Sequence, residues 1–281
     1  HGGSAEQKAK YIPGIIDGSK TFGFAQLEKN SRYDLFDVVT TAKKKGDGWV
    51  IDGEKFVVLN GENADTLIVT ARTKGGQRDK AGIGVFLVPA DAKGITKKGY
   101  PTQDGLHAAD ITFTNVEVGA DAAIGDPENG LPLIERVADE ARIALCAEAV
   151  GAMDQSLKDT VEYIKTRKQF GVAIGSFQSL QHRAADMFVA LEQARSMSMF
   201  ATMASDFSDA KERSSAVAAA KVQVGKSLKF VGQQSIQLHG GIGMTWELPL
   251  AHYAKRLVMI DHQFGDEGHH LARFMALSQA A

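Results

Sequence analysis

Residues 167–178 have the sequence RKQFGVAIGSFQ, a loop with two glycines between two long segments of helical periodicity. A second glycine-containing loop, QLHGGIG at 237–243, ends the next helical segment. Around both loops apolar residues recur every three or four positions, the spacing of amphipathic helices. Helices are predicted from residue 130 onward and at 178–205, 209–238, 248–259 and 267–278. Long helices joined by short loops predict an antiparallel helical bundle.

The preceding region, about 20–125, has the composition of a β domain. Short runs rich in Val, Ile, Thr and Phe alternate with turn residues, and no helical period separates them. Seven strands are predicted, at residues 22–27, 38–42, 49–52, 55–58, 66–71, 82–89 and 109–116. Asp52 and Gly53 between two of them predict a tight hairpin turn. We therefore expect an antiparallel β-barrel or sandwich.

The first residues form a short helical segment. Ser4 and Gln7 have the spacing of a capping box, and Pro13 with Gly14 marks the exit from the helix. A segment this short cannot form a domain, so we interpret it as the tail of an N-terminal helical domain that is largely absent. The chain is thus predicted to be α+β, with a helical tail at 1–18, a β domain at 19–126 and a helical bundle at 127–281.

Composition narrows the possible partners and location. The 281 residues are 44% hydrophobic and 23% charged with a formal net charge of −2, so no basic surface for nucleic acid is expected. No apolar run approaches the roughly 20 residues of a membrane helix. Cys146 is the single cysteine, so we expect a buried thiol, no disulfide and a cytoplasmic location. Because the sequence begins with HGGS, without Met or a signal peptide, we expect a processed or truncated product.

Both glycine loops contain residue types suited to a phosphate-bearing ligand. Arg167 offers a planar fork to a pyrophosphate, and Phe170 offers a packing face to a ring. Gly240 and Gly241 permit close backbone approach. Taken alone, the first loop favours a capped surface loop with an exposed Arg, and the second favours a plain helix C-cap.

Four histidines near the C-terminus lack the spacing and cysteine partners of a zinc site, so they are interpreted as helix-face residues and no metal is expected. They are His252, His262, His269 and His270.

In this order and helical context the two loops resemble the flavin-binding loops of the acyl-CoA dehydrogenase family, R-x-Q/T-F-G and Q-x-x-G-G-x-G. The resemblance extends over essentially the whole chain, including 22–34, 46–55 and 109–118 in the β domain. It implies that FAD is the cofactor and that both loops reach across a dimer interface to the ADP half of a partner subunit's FAD. The residues to which this role is carried over are Arg167, Gln169, Phe170, Gln178, Gln237, Gly240 and Gly241.

The flavin-ring half departs from the family pattern. The usual T-E-x-x-x-G-S-D is LEKNSRYD at 27–34, with Leu27 and Tyr33 in place of the Thr and Ser hydroxyls. The usual K-x-W-I-T-N-G is KFVVLNG at 55–61, with Val57 and Leu59 in place of Trp and Thr. A flavin ring bound here would leave polar atoms unpaired, at roughly 1–3 kcal/mol each.

The position of the family's catalytic carboxylate is also changed. The usual Y-E-G-T is QFGD at 263–266, which puts Phe264 at the Glu position. The alternative base position on the first bundle helix falls at Ala141. Asp266 or Glu267 could serve if the loop shifts, and Asp266 is the candidate base.

The resemblance implies α,β-dehydrogenation of an acyl-CoA thioester, with electrons passing to an electron-transfer flavoprotein. Retained loops with altered ring contacts resemble the small, non-catalytic chain of two-gene enzymes. The FGDxxHH and AQLEKNS segments are most similar to the small subunit of pimeloyl-CoA dehydrogenase. Three alternatives stay open: a self-sufficient homomeric enzyme with a relocated base, a flavin-free binding or scaffold protein, and a flavin monooxygenase relative.

Overall fold

A computed structural model describes residues 1–279. The chain divides into two compact units, His1–Val137 and the part from Ala138 onward. Six α-helices are present in the described residues, and the second begins in the first unit and continues into the second. They are α1 Ala5–Ile16, α2 Leu131–Thr166, α3 Gln178–Ala204, α4 Ala210–His239, α5 Pro249–His262 and α6 Glu267–Gln279. No helix within residues 1–279 is long and apolar enough to cross a lipid bilayer.

The helix predictions are confirmed, because their signals are local. Ser4 accepts a hydrogen bond from the backbone of Gln7, whose side chain returns one to Ser4, so the capping box is formed. Asp209 caps α4 through the backbone N–H groups of Lys211 and Glu212. The predicted domain boundaries at residues 18 and 126 remain predictions.

The first unit contains an eight-stranded sheet. Its strands are β1 Phe22–Ala25, β2 Thr41–Lys45, β3 Gly48–Leu59, β4 Thr66–Arg72, β5 Ile83–Pro89, β6 Ile95–Pro101, β7 His107–Val118 and β8 Ala123–Ile124. The order is β6-β7-β3-β2-β4-β5-β8, with β1 paired to β4. Its core includes Leu67, Val69 and Ile111, and Trp49 packs edge-to-face on Phe86 at 5.1 Å.

The predicted barrel is not confirmed, because the ends of the described sheet, β6 and β8, do not pair and the sheet is open. The pairing is also not purely antiparallel. Strand β1 runs parallel to β4 over four residue pairs, and Thr41 of β2 is in parallel register with Arg72 of β4. Strand periodicity shows which side of a strand is buried, but it does not identify the neighbouring strand.

The predicted Asp52-Gly53 hairpin is wrong. Strand β3 runs through both residues, and its register with β7 shifts between Ile51 and Gly53, as in a β-bulge. A Cβ at Gly53 would lie 2.6 Å from Thr40 Cα, so glycine is required here for close approach. The tight turn lies earlier, where Lys45 pairs with Gly48. Strand β6 was not predicted, because its ITKKGYP sequence is that of a largely exposed edge strand.

The second unit is the predicted helical bundle. Its core is formed by α2, α3, α4 and α5, with Met153, Met187, Leu191 and Leu228 among its buried side chains. Cys146 is fully buried in this core, as predicted, and burial raises the pKa of its thiol to about 11.

Candidate functional site

The loop after α2 folds into a small hairpin. Strand β9 Lys168–Gln169 pairs with β10 Val172–Ala173, and Phe170 and Gly171 form the turn with φ of +56° and +81°. Positive φ at both turn positions is the type I′ pattern, which is unfavourable for a residue as bulky as Phe. Phe170 is nevertheless 90% exposed. The Phe170 side chain is therefore not needed for packing within the hairpin.

The hairpin is joined to the start of α3. Phe170 contacts Phe177 edge-to-face at 6.1 Å, and Gln181 donates a side-chain hydrogen bond to the carbonyl of Gly175 at 2.8 Å. Gln178 is the first residue of α3 and is exposed, like Arg167 and Gln169. These contacts give the hairpin a defined position on the bundle.

The second loop is the end of α4. Gly240 caps the helix with φ +65°, and its N–H is bonded to the carbonyls of Gln237 and Ile236. A Cβ at Gly240 or Gly241 would meet no atom within 4 Å. The backbone at these two glycines is therefore open to the approach of a ligand or a second protein.

A ring contact between helices brings the two loops together. Tyr163 of α2 stacks on His239 of α4 with ring centroids 4.4 Å apart. The Tyr163 carbonyl accepts the backbone N–H of Arg167 at 2.8 Å, and His239 directly precedes Gly240. His239 donates from Nδ1 to the Ser235 carbonyl at 2.8 Å, and burial lowers the pKa of its imidazole. The predicted cofactor residues thus share one end of the bundle.

Asp266 lies elsewhere. It precedes α6, and its Oδ1 accepts the backbone N–H of His269 at 2.8 Å, a bond that lowers the pKa of the carboxyl group. The following residue, Glu267, contacts α4 at Lys229. Ten residues along α4 separate that contact from His239, roughly 15 Å of helix. The structure therefore does not bring Asp266 to the glycine loops, and its catalytic role remains a prediction.

The turn that contains Phe264 is held rigidly from inside the bundle. Phe264 has φ +55°, and its carbonyl accepts hydrogen bonds from Arg142 Nε at 2.9 Å and His270 Nε2 at 3.0 Å. Lys221 Nζ donates to the carbonyls of Ile260, Asp261 and Gln263 at 2.9, 3.2 and 3.2 Å. Together these donors restrain the backbone on both sides of the turn.

No pattern in the sequence predicts these donors. His270 was interpreted as a helix-face residue, but it is fully buried, and burial with nearby Arg142 lowers the pKa of its imidazole to about 2. Burial also lowers the pKa of Lys221 to about 8. Arg142 is in turn paired with buried Asp139 at 2.8 Å. The donors and the turn are distant in sequence, so no local pattern signals the arrangement.

In the first unit, the segment 27–34 is anchored by a buried ion pair. Glu28 accepts hydrogen bonds from Lys55 at 2.8 Å and from the backbone of Val39 and Thr40 at 2.7 and 3.0 Å. Burial alone would raise the pKa of Glu28, but Lys55 and these donors lower it overall. The Glu28 carboxylate and the Lys55 ammonium are therefore paired with each other inside the first unit.

Val57, at the predicted flavin-ring position, has a strained backbone. Its φ is +48°, although a β-branched side chain strongly disfavours that region, and 43% of the residue is exposed. Its N–H donates to Asp110 at 3.1 Å. Leu27 and Leu59 are half-buried. The side chains at all three positions are apolar.

No group of three or more His, Cys, Asp or Glu side chains within residues 1–279 is arranged to hold a metal ion.

Comparison with known proteins matches both parts of the chain to one family. The family model "Acyl-CoA dehydrogenase, C-terminal domain" matches residues 128–271, and "Acyl-CoA dehydrogenase, middle domain" matches residues 23–116. The mitochondrial short-chain specific acyl-CoA dehydrogenase of Mus musculus is 32% identical over 254 residues, which are 89% of this chain and 61% of that protein. The chain therefore spans about three-fifths of that relative's length.

Solved structures agree with this assignment. An FAD-dependent dehydrogenase is 29% identical with a TM-score of 0.92, covering 99% of this chain and 75% of its own. The G363A variant of a steroid ACAD, Tcur3481-Tcur3483, is 30% identical with a TM-score of 0.85, covering 99% of this chain and 72% of its own. The match to two consecutive family domains, together with the shared fold, shows that the chain belongs to the acyl-CoA dehydrogenase family.

Proposed function

We propose that this chain is a subunit of an FAD-dependent acyl-CoA dehydrogenase, and that it completes the flavin site of a partner chain. The observation that carries the proposal is the Tyr163–His239 stack, which places two exposed, glycine-containing loops side by side. Exposed Phe170 on a strained turn and open space over Gly240 and Gly241 are features of a surface shaped for a ligand held by another chain.

The residues fit the ADP half of FAD. Arg167 would offer its guanidinium fork to the pyrophosphate, and the backbone of Gly240 and Gly241 would allow close approach of phosphate or ribose. Gln169, Gln178 and Gln237 are exposed amides that can donate and accept hydrogen bonds. When bound, FAD supplies the two-electron acceptor for the substrate's β-hydride. Similarity to an FAD-dependent dehydrogenase supports this cofactor.

The residues fit the flavin ring poorly. Leu27, Val57 and Leu59 have no side-chain donor or acceptor for its polar edge. We therefore propose that a partner chain holds the ring and that this chain contributes only the ADP-half loops.

The position of the catalytic carboxylate also fits poorly. Phe264 packs against the bundle core, and its backbone is fixed by Arg142 and His270, which opposes the loop shift that Asp266 would need. Asp266 would also lose its capping bond to His269. We propose that the partner supplies the carboxylate that removes the α-proton.

The other parts of the proposal come from the family resemblance. The substrate would be an acyl-CoA thioester and the electron acceptor an electron-transfer flavoprotein, whereas the cytoplasmic location is proposed from the single, buried Cys146. Within the family we propose a small subunit of the pimeloyl-CoA dehydrogenase type. At least two chains must associate to complete a shared flavin site.

Flavin absorbance tests the proposal. The purified chain is incubated with FAD, alone and with a partner acyl-CoA dehydrogenase chain encoded beside it, and excess FAD is removed. We expect a flavin band only in the mixture, weakened roughly tenfold or more in Arg167→Met because a charged hydrogen bond is lost. Arg195→Met is the matched control, since Arg195 pairs with Glu192 and Asp154 on the bundle surface.

Two results would contradict the proposal. A flavin band and dehydrogenase activity in the chain alone would establish the self-sufficient enzyme, and Asp266→Asn would then test its base. The absence of flavin from every mixture would favour the flavin-free scaffold.

A further inference from the structure

Three arginines from three helices surround one buried carboxylate in the second unit. Asp139 Oδ1 of α2 accepts hydrogen bonds from Arg142 Nη1 at 2.8 Å and from Arg273 Nη1 of α6 at 3.1 Å. Its other oxygen, Oδ2, accepts a hydrogen bond from Ser214 at 2.6 Å and lies 3.9 Å from Arg213 Nε of α4. Both oxygens of the carboxylate are therefore already bonded from within the chain.

The charges of this cluster do not balance. The Asp139 carboxylate offsets one of the three guanidinium charges, which leaves an excess of two positive charges among the four side chains. Asp209 lies four residues before Arg213, but it is exposed and caps α4, so solvent weakens its effect. Like charges repel more strongly away from bulk water, where the effective dielectric constant is lower. An added negative group would therefore stabilise the cluster.

The donors of Arg213 are incompletely used by its own chain. Its side chain is 9% exposed. Within residues 1–279 its buried Nε–H has no hydrogen-bond partner, and Nη1 donates to the Phe207 carbonyl at 3.3 Å. Buried donors are normally hydrogen-bonded, because an unpaired one costs free energy. This guanidinium therefore retains donor capacity for a group from outside the chain.

Arg273 is the member of the cluster that reaches solvent. Its side chain is 19% exposed, whereas those of Arg142 and Asp139 are 1% and 0% exposed. Its Nη1 donates to Asp139, and its Nη2 donates to Ser214 Oγ at 3.1 Å. A guanidinium has five N–H donors, so Arg273 can bond a ligand from the solvent side without giving up these two contacts.

The cluster is far from the proposed cofactor loops. Arg213 and His239 are 26 residues apart on α4, which is roughly 39 Å of helix. The cluster instead adjoins the turn between α5 and α6, because Arg142 Nε donates to the Phe264 carbonyl at 2.9 Å. A ligand held here would therefore be separate from the ADP half of FAD.

We propose that Arg213 and Arg273 form a binding site for a compact oxyanion, the phosphate group of a phosphorylated metabolite or the carboxylate of an organic acid. The planar guanidinium fork matches paired oxygens of either group, and its hydrogen bonds to them are charge-assisted. The anion supplies the negative charge that Asp139 alone does not provide. Because the site lies at the other end of α4 from the glycine loops, it does not depend on flavin binding.

Calorimetric titration of the purified chain tests the site. Inorganic phosphate and succinate are titrated separately, at an ionic strength held constant with sodium chloride. We expect one anion to bind per chain, with a dissociation constant raised roughly tenfold or more in Arg273→Gln, because a charge-assisted hydrogen bond is lost. Tighter binding of phosphate would assign the site to a phosphate group, and tighter binding of succinate to a carboxylate.

Arg195→Gln is the matched control for this titration. Arg195 is paired with Glu192 and Asp154 on the bundle surface, so this variant removes the same charge outside the cluster and should bind the anion like the wild type. The absence of saturable binding of both anions, or equal weakening in Arg273→Gln and Arg195→Gln, would overturn the proposal.

Thermal unfolding distinguishes a ligand site from a purely structural cluster. In chloride alone, Arg273→Gln should unfold at the wild-type temperature or above it, because repulsion from Arg142 and Arg213 is relieved. The anion that binds should raise the unfolding temperature of the wild type more than that of the variant, since a ligand stabilises the state that binds it. A lower unfolding temperature of the variant in chloride, with equal responses to the anion, would show that Arg273 is only a structural partner of Asp139.

Discussion

Arg142 of α2 donates its Nε–H to the backbone carbonyl of Phe264, 2.9 Å away, in the turn between α5 and α6. The same guanidinium donates from Nη1 to Asp139 at 2.8 Å, and both Arg142 and Asp139 are buried. The turn at the family's base position is thus fixed by a buried ion pair. Because the backbone is fixed here, the side chain of residue 264 itself decides whether a carboxylate occupies this position.

Replacing Arg142 should strongly destabilise the second unit. Arg142→Gln removes a positive charge beside the buried Asp139 carboxylate and a hydrogen bond to the Phe264 carbonyl. We therefore expect a loss of about 3–5 kcal/mol in the free energy of unfolding. Urea denaturation measures it. Arg256→Gln is the control, because Arg256 pairs with exposed Glu148 at 2.6 Å, and a surface pair contributes about 1 kcal/mol or less. Equal losses in the two variants would contradict the assigned role.

His270 should make the protein sensitive to acid. Its pKa is about 2 in the folded chain, whereas an unfolded histidine has a pKa of about 6.5. As pH falls below 6.5 the unfolded chain binds a proton that the folded chain does not, so stability decreases by at most about 1.4 kcal/mol per pH unit. Above pH 7 this effect is absent. Equilibrium unfolding at several pH values measures the slope.

The variant His270→Gln identifies the source of that slope. Glutamine can still donate to the Phe264 carbonyl but does not titrate, so stability should fall less steeply between pH 6.5 and 4. His262→Gln, at an exposed position, serves as the control and should retain the wild-type slope. An unchanged slope in His270→Gln would show that other groups cause the acid sensitivity.

Phe170 should contribute to function without contributing to stability. Asparagine tolerates positive φ better than Phe, so Phe170→Asn should leave the free energy of unfolding unchanged or raise it by about 1 kcal/mol at most. In the mixture with its partner chain the same variant should bind flavin roughly tenfold more weakly or worse, because it loses an aromatic packing face. Thermal unfolding and flavin titration measure the two effects separately.

Val57→Gly is the matched control for backbone strain. It relieves a comparable φ of +48° in the first unit, and we expect no loss of flavin affinity, since the partner chain is proposed to hold the ring. If Phe170→Asn destabilised the chain, or if both variants weakened flavin equally, the assignment of Phe170 to the ligand surface would be wrong.

The buried Glu28–Lys55 pair should be essential for the first unit. Lys55→Met leaves the Glu28 carboxylate buried without its counter-charge, so a loss of about 3–5 kcal/mol is expected. The double variant with Glu28→Gln should lose less than the sum of the single variants, because the two groups interact directly. A cycle on the i,i+4 pair of half-buried Asp154 and exposed Lys158 is the control and should give about 0.3–0.5 kcal/mol. Additive losses at Glu28 and Lys55 would contradict the coupling.

The sequence predicted the elements whose signals are local. The Ser4 capping box, the Asp209 cap and the period of α3 each depend on residues within a few positions of one another, and the structure confirms them. The prediction of a turn at Asp52-Gly53 was wrong because a residue outside the dipeptide determines the conformation there. Its glycine is required by Thr40, a residue that approaches from outside the dipeptide. A local pattern cannot distinguish a turn from such a close approach.

Tertiary structure alone decided how the candidate site is arranged. The residue types of the two glycine loops could be read from the sequence, but their common location depends on Tyr163 stacking on His239. Similarly, Phe264 could be aligned from the sequence, but its restraint depends on Arg142, 122 residues away. Periodicity and caps report on the chain's nearest neighbours, whereas these contacts form only when separate helices pack together.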